Sequence, residues 1–550
     1  MKKTKKCLAL CLAAVTAASL LGGCAGQNAN ATSAAVSTAA AEEGQSGAAG
    51  SSGAQDAVTE AAGMDGDIII AVSSLGNTMD PVDTTDATSS ALVYAAYDRL
   101  IKYGVKEKDG KLYADISDYQ PSIAKSWDVS DDQLTWTFHI DENAKFSNGD
   151  PVTAEDVAYS FDRCKTRPNG EFVYGLTNIK ETNVIDDHTV EFTLSQHCSI
   201  FLRLIEMYTF GITDKSQVEE NGDDWLTNNT AGSGPYELTK YDNASEVVVT
   251  RRDDYWGEAP KNHSVTFKKV AEVSNRQLML EKGDVDMALD ISEKDLEGLA
   301  QKDGVKVQTD SSVKIVYLAL NSKIAPFDNK LVRQAMGYAL PYDSMVNDIM
   351  YGRATKMTSS FVPTIMDSHK EGTAYTQDLD KAKSLLAEAG YPDGFSFDLT
   401  LGSGFQDWED DAVLIQAELS KVGITMNINK VERPQFLEMA AGKNVQAFIT
   451  RFISFVNDPG YLSGCILNSK GDFNYYNFDN AEFDALYEQA QSTLDEKERM
   501  ECFEKMQDIV HDEAPILGFY EYGYTMSYRD GISGYTFYPD LTVRFENLQK

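Results

Sequence analysis

Two pairs of neighbouring carboxylates, Asp407 with Glu409 and Asp410 with Asp411, come nearest to acid–base chemistry in this 550-residue chain. A hydrolase would need one acid and one base facing each other across the bond to be cut. Adjacent acids in a turn and helix start more simply cap the helix and complement its positive end. No Gly-x-Ser-x-Gly elbow is present, and Gly232-Ser233-Gly234 stands before Pro235 as a turn. The six histidines, His139, His188, His197, His263, His369 and His511, lack HExxH-like spacing, and only His197 has a cysteine neighbour, Cys198. Cys164, Cys198, Cys465 and Cys502 show no metal spacing either. Disulfides Cys164–Cys198 and Cys465–Cys502, the other pairings and four free thiols all stay open. The expectation is a chain with no catalytic residue, no metal and no cofactor.

The elements that would position a binding site alternate between strand and helix. Asp67 to Ser73 reads as a first strand, followed by a loop ending Met79-Asp80-Pro81 and a helix opening near Thr88. Trp127 to Ile140 reads as a hairpin, because Leu134, Trp136, Phe138 and Ile140 alternate at strand period. Further strands are expected over 237–240, 246–251 and 264–269, and a helix over 274–282. A lobe boundary is expected at the strand Val313 to Asn321, VKIVYLALN. Helical spacing follows after Asp328 and over Asp378 to Ala389, where Gly390 is placed as the stop. A helix at 412–422 and a strand through Ile424, Met426 and Ile428 continue the rhythm of an α/β lobe. Helices at 481–490 and 497–510 end at Pro515, and Ile516 to Tyr524 leads back across a hinge. The expected division is a first lobe over 66–312 with an inserted subdomain at about 105–230, a second lobe over 313–520, and a return over 521–550. So long a chain is too large for one core.

The amino terminus carries Lys2, Lys3, Lys5 and Lys6 before an apolar run, Cys7 to Leu21, too short for a membrane span and suited to export. The run closes on Leu21-Gly22-Gly23-Cys24. Residues 24–65, rich in Ala, Gly, Ser and Thr, cannot bury enough surface to fold and read as a flexible tether. The chain holds 49 basic and 85 acidic residues, a formal net charge of −36, and loss of residues 1–23 would take it to about −40. No basic face for a phosphate backbone is visible, so nucleic acid is not an expected partner.

Several blocks fix a family resemblance. FSNGDPVTAEDVAYSFDR (146–163) has a turn at Asn148-Gly149-Asp150-Pro151 and a Thr153/Asp156 capping-box spacing before Val157, Ser160 and Phe161. With AGSGPYELTKYD (231–242), RRDDYWGEAPK (251–261), FDNKLVRQAMGYAL (327–340) and DLDKAKSLLAEAGYPDGF (378–395), it resembles the extracellular solute-binding proteins of family 5 that serve peptide-type ABC importers. The resemblance implies a two-lobed periplasmic-binding-protein-like α/β fold (type II) with an extra subdomain in the first lobe and a ligand cleft between lobes. It implies capture of a small solute, a peptide in the main, for ABC permease subunits and their ATPases by a monomeric protein. It also makes Leu21-Gly22-Gly23-Cys24 similar to a lipobox, with Cys24 lipidated and anchored in the bilayer.

In the proteins this chain resembles, an Asp in a Trp-x-x-Asp-x-x-x-Pro segment meets the peptide's α-ammonium. Here Phe452 takes the Trp position and Phe455 the Asp position, with Asn457 and Asp458 before Pro459. The loop that carries a carboxylate-binding Arg in dipeptide binders reads Gly402 to Trp408 and has none. Both ends of a dipeptide clamp are therefore expected to be missing, which leaves a longer or end-blocked peptide bound through its backbone. The alternatives are an oligosaccharide stacked on Phe405, Trp408, Phe452, Phe455, Tyr520 and Tyr522, and a peptide-sensing lipoprotein without transport; the same rings are equally ordinary core material. Thr85 and Asp86 match a loop that reaches the ligand in the resembling proteins.

Overall fold

The computed structural model describes residues 66–550; the expected signal segment, Cys24 and the tether lie outside the described residues. The 146–163 block folds as its chemistry dictates. Thr153 caps the helix Ala154–Cys164, its hydroxyl accepting from the Asp156 N–H while the Asp156 carboxylate accepts from the Thr153 N–H at 3.0 Å. Two first-turn donors are thereby satisfied. Arg163, near the other end, donates to both oxygens of buried Asp80 at 3.1 and 2.7 Å, so the same helix fixes the loop at Met79 to Pro81. Beside this helix the expected hairpin belongs to a four-stranded antiparallel sheet, in the order Ala124–Val129, Thr135–Ile140, Thr189–Leu194, Ile179–Asp186. A small sheet of Ile101–Lys108, Lys111–Pro121 and Thr536–Phe537 adjoins it, so the carboxyl-terminal return pairs with the first lobe.

A larger, eleven-stranded sheet runs through the whole folded part. Its middle is two long antiparallel strands, Val305–Leu320 and Ile516–Arg529, with register shifts between Ser311 and Ile315 and again at Val316 and Tyr317. On one side lie Ala447–Ile453, Ser396–Gly402 and Thr425–Val431; on the other lie Met287–Ala288, Asp67–Val72, Ser264–Lys269, Glu246–Arg251 and Tyr236–Asp242, and the short strand Thr355–Lys356 pairs with Ile516–Arg529 as the eleventh. Each half has its own core. Ile68, Ile70, Leu92, Val247 and Phe267 pack in the first lobe. Leu318, Met336, Leu399, Ile415 and Phe519 pack in the second. A further cluster joins the subdomain's Phe138, Phe161 and Phe192 to Phe448 of the second-lobe sheet and to Phe503 of the helix Glu496–Glu513.

Several boundaries differ from expectation. The strand expected from Val313 starts at Val305, because Gln308 and Asp310 are buried inside it. Asp310 accepts from Gln308 at 2.8 Å, Tyr113 at 3.0 Å and Lys111 at 3.2 Å, so a polar stretch is satisfied where apolar alternation breaks. Asn329 rather than Asp328 caps the helix Lys330–Ala339. The helix expected from Ala412 starts at Gln406. Cys164, Cys198, Cys465 and Cys502 are all free thiols. Among the described residues no helix is long and apolar enough to cross a membrane.

Candidate functional site

Strands 396–402 and 425–431 run parallel, and 447–453 runs parallel to the first of them. Their carboxyl ends, at Gly402, Val431 and Ile453, therefore share one edge of the sheet, the edge at which α/β sheets receive ligands. The antiparallel strand 305–320 places Lys314 opposite Ile453 and Val316 opposite Arg451 at the same edge. Strand 516–529 adds Tyr520, opposite Val316, with Tyr522 two residues on.

Phe405 and Trp408 stack there with centroids 4.0 Å apart. Trp408 is fully buried, and its indole N–H donates to the Tyr522 hydroxyl at 3.1 Å; that hydroxyl donates in turn to the Asp407 carboxylate. Phe405 is half-buried. Over it stand two guanidinium groups, Arg451 at 4.7 Å and Arg433 at 5.3 Å from the ring centroid. Lys314 Nζ lies 3.8 Å from the Tyr522 ring centroid. Gly402 makes room for this arrangement, since a Cβ there would sit 3.3 Å from both Cδ and Nη1 of Arg433. The loop has no arginine of its own, yet two arginines reach it from neighbouring strand ends.

These three cations have no ion-pair partner among the described residues. Nη1 of Arg433 is buried without a hydrogen-bond partner. Desolvation, aided by Arg451, brings the half-buried Lys314 ammonium down to about 7 against the opposing pull of Asp407 and Glu293. The same two causes bring Arg433 down to about 10. From the first lobe, the Glu293 carboxyl is pushed up to about 7 by burial, against the pull of Arg353 and Lys314. Such crowding of unpaired positive charge is unfavourable unless an anion relieves it.

The other expected contacts divide into exposed and structural groups. Phe455 is 56% exposed. Thr85 is half-exposed, and Asp86 beside it caps the helix Ala87–Ala96 by accepting from the Ser89 N–H at 2.9 Å. Phe452 points to the opposite face of the sheet and packs on Tyr461 and Phe473. Tyr520 is fully buried and donates to Asp411 at 2.9 Å. Asn457 is buried and donates to the Ile365 carbonyl at 3.2 Å. Asp458 needs correction as a ligand contact. It caps the helix Pro459–Ile466 through the N–H groups of Gly460 and Tyr461, and Arg499 lies 2.7 Å from each of its oxygens. The four acids at 407–411 have separate partners too: Tyr522 for Asp407, Lys430 for Glu409, Gln406 for Asp410 and Tyr520 for Asp411. None of the four is arranged as an acid facing a base.

The bacterial extracellular solute-binding proteins of family 5 match this chain over residues 118–474. The chain belongs to that family. This solute-binding protein is 28% identical over 488 residues to the probable D,D-dipeptide-binding periplasmic protein DdpA of Escherichia coli K12, covering 87% of this chain and 93% of that protein. It is 27% identical to the glutathione-binding protein GsiB of Salmonella paratyphi A, covering 88% and 94%. Among solved structures, the periplasmic binding protein DppA of Helicobacter pylori in complex with the peptide STSA superposes with a TM-score of 0.70 at 25% identity, covering 88% of this chain and 98% of that one. The family's members are extracellular solute-binding proteins, and the two-lobed type II fold is theirs. Lys314, Arg433, Arg451 and Glu293 escaped the sequence reading of this solute-binding protein. One signal was available: Lys314 shares strand parity with core-facing Val316, Leu318 and Leu320, an inward position where a charge needs a reason.

Proposed function

We propose that this solute-binding protein captures a peptide-type solute outside the cell and delivers it to an ABC importer, with the solute's carboxylate received by Lys314 and Arg451. The observation that carries this is the cluster of unpaired cations at the carboxyl edge of the second-lobe sheet, in a chain whose formal charge is −36. A carboxylate is the group such a cluster favours, because charge-assisted hydrogen bonds are the strong ones. The dipeptide and glutathione named for two relatives, and the peptide bound to the Helicobacter homologue, support the same class.

Phe455, in place of an anchoring Asp, leaves a free α-ammonium without that partner and favours a longer or end-blocked peptide. An oligosaccharide is less well served, since Trp408, Phe452, Tyr520 and Tyr522 are buried, Phe405 is stacked between Trp408 and two guanidinium groups, and of the six rings Phe455 alone is well exposed. The lobes, 66–312 with 521–550 and 313–520, would close about the two long strands where their register shifts. Cys24 would hold the protein at the membrane through its lipid, on the strength of Leu21-Gly22-Gly23-Cys24. The protein binds and does not turn its solute over.

A thermal-shift screen of peptide pools against oligosaccharides tests the central part. Peptides should raise the melting temperature by mass action. Stabilisation by oligosaccharides alone, or turnover of a peptide without stabilisation, would contradict it. Labelled palmitate should enter the wild-type chain and be lost in Cys24→Ala.

A further inference from the structure

Resting on the peptide reading above, we propose that Arg433 and the Tyr475 hydroxyl form a second anion subsite beside the Lys314–Arg451 pair, so that the solute is an acidic peptide carrying a side-chain carboxylate as well as its terminal one. Three observations converge on it. Nη1 of Arg433 is buried without a hydrogen-bond partner, and so is the hydroxyl of Tyr475, from a different part of the chain. A buried donor left unmatched is unfavourable, and two that lie close together can be satisfied by one acceptor. They meet at one cluster: the Arg433 guanidinium lies 5.0 Å from the Phe436 centroid, and Tyr475 is buried in the same cluster as Phe436, where each of the two groups acts on the other's titration.

The geometry is also built rather than accidental. Arg433 is the first residue of the helix Arg433–Ala441, and its guanidinium lies 5.3 Å from the Phe405 ring centroid, 5.5 Å from Trp408 and 5.0 Å from Phe436. Three rings and the missing Cβ of Gly402 thus hold a guanidinium over the sheet edge with no carboxylate beside it. Charge balance points the same way. Lys314 feels the Asp407 carboxylate, which already accepts from Tyr522, while Arg433 has only Arg451 and the Tyr475 hydroxyl as charged or titratable neighbours. One peptide carboxylate would neutralise only one of the three cations, and Arg451 would still crowd Arg433. A second carboxylate relieves that crowding and meets both orphan donors.

Isothermal titration of the full chain, solubilised in detergent, tests this with N-acetylated Ala-Glu-Ala, Glu-Ala-Ala and Ala-Ala-Glu, each against its Gln counterpart. At least one Glu peptide should bind about tenfold tighter than its Gln twin, the worth of a charge-assisted bond. That ratio should fall toward one in Arg433→Gln and shrink in Tyr475→Phe. Equal affinities for all three pairs, with the Gln peptides still binding, would overturn the second subsite and leave the peptide reading intact. Failure of all six peptides to bind would remove the peptide reading and the subsite with it. The wild-type comparison decides the matter even if a variant fails to fold.

Discussion

At the Asp458 corner of the second lobe, Arg499 reaches both oxygens of one buried carboxylate at 2.7 Å, and Arg203 from the subdomain adds a contact at 3.4 Å. At the Phe405 edge, Lys314, Arg433 and Arg451 gather with no carboxylate partner, against aromatic rings and each other. Other buried arginines repeat the corner: Arg544 and Arg99 meet buried Glu206, and Arg163 meets Asp80. The edge lacks that pairing. A cation that already has its carboxylate holds the fold together, whereas one left without a partner in so acidic a chain stays free for an anion from outside.

The largest expected effect separates the two kinds. Arg499→Leu strands the buried Asp458 carboxylate and should lower stability by about 3–5 kcal/mol in urea denaturation. Arg451→Leu should change stability by less than about 1 kcal/mol, because it removes crowding rather than a partner, and should instead weaken peptide binding by about tenfold or more. Equal losses of stability in the two variants would erase the distinction.

A titration sharpens it next. The Lys314 ammonium, held near 7 in the unliganded protein, is penalised while charged in the fold, so unliganded stability should rise with pH from 7 towards the ordinary lysine range. Peptide binding should run the other way, strongest below pH 7 and falling by about three- to tenfold by pH 8.5, as the receiving cation is lost. Lys314→Met should flatten both slopes. The smallest effect is at the exposed end of the site. Phe455→Asp should improve binding of a free-amino peptide over its N-acetylated form by up to about fivefold, the worth of an exposed ion pair, in side-by-side titrations.

The parts of the fold governed by neighbours in sequence were legible. The Thr153/Asp156 box, the 127–140 hairpin and the helix capped by Asp378 with Gly390 at its end all appear as their spacing predicts. Buried polar stretches misled: Gln308 and Asp310 hide eight residues of a central strand because their partners, Lys111 and Tyr113, lie in another sheet. The acids from Asp407 to Asp411 read as a turn and helix start, and they lie in the first turns of the helix Gln406–Ser420, which opens six residues before the expected Ala412. Of the expected contacts, Phe405 and Trp408 of the 402–408 loop lie at the charged edge, whereas Phe452, Asn457 and Asp458 are occupied by packing and hydrogen bonds elsewhere. The charges of that edge were not legible, since Lys314, Arg433 and Arg451 are far apart in sequence and meet only through strand pairing. Asp458 could have been placed correctly, because an Asp before a Pro that opens a helix is a capping signal in its own right.

The most direct measurement compares one tripeptide with its carboxyl-terminal amide by isothermal titration against the wild-type chain and Arg451→Gln. The free acid should bind wild type at least about tenfold tighter than the amide, and the ratio should fall toward one in the variant. Equal affinity of acid and amide for the wild-type protein would contradict the assignment of the unpaired cations to a solute carboxylate.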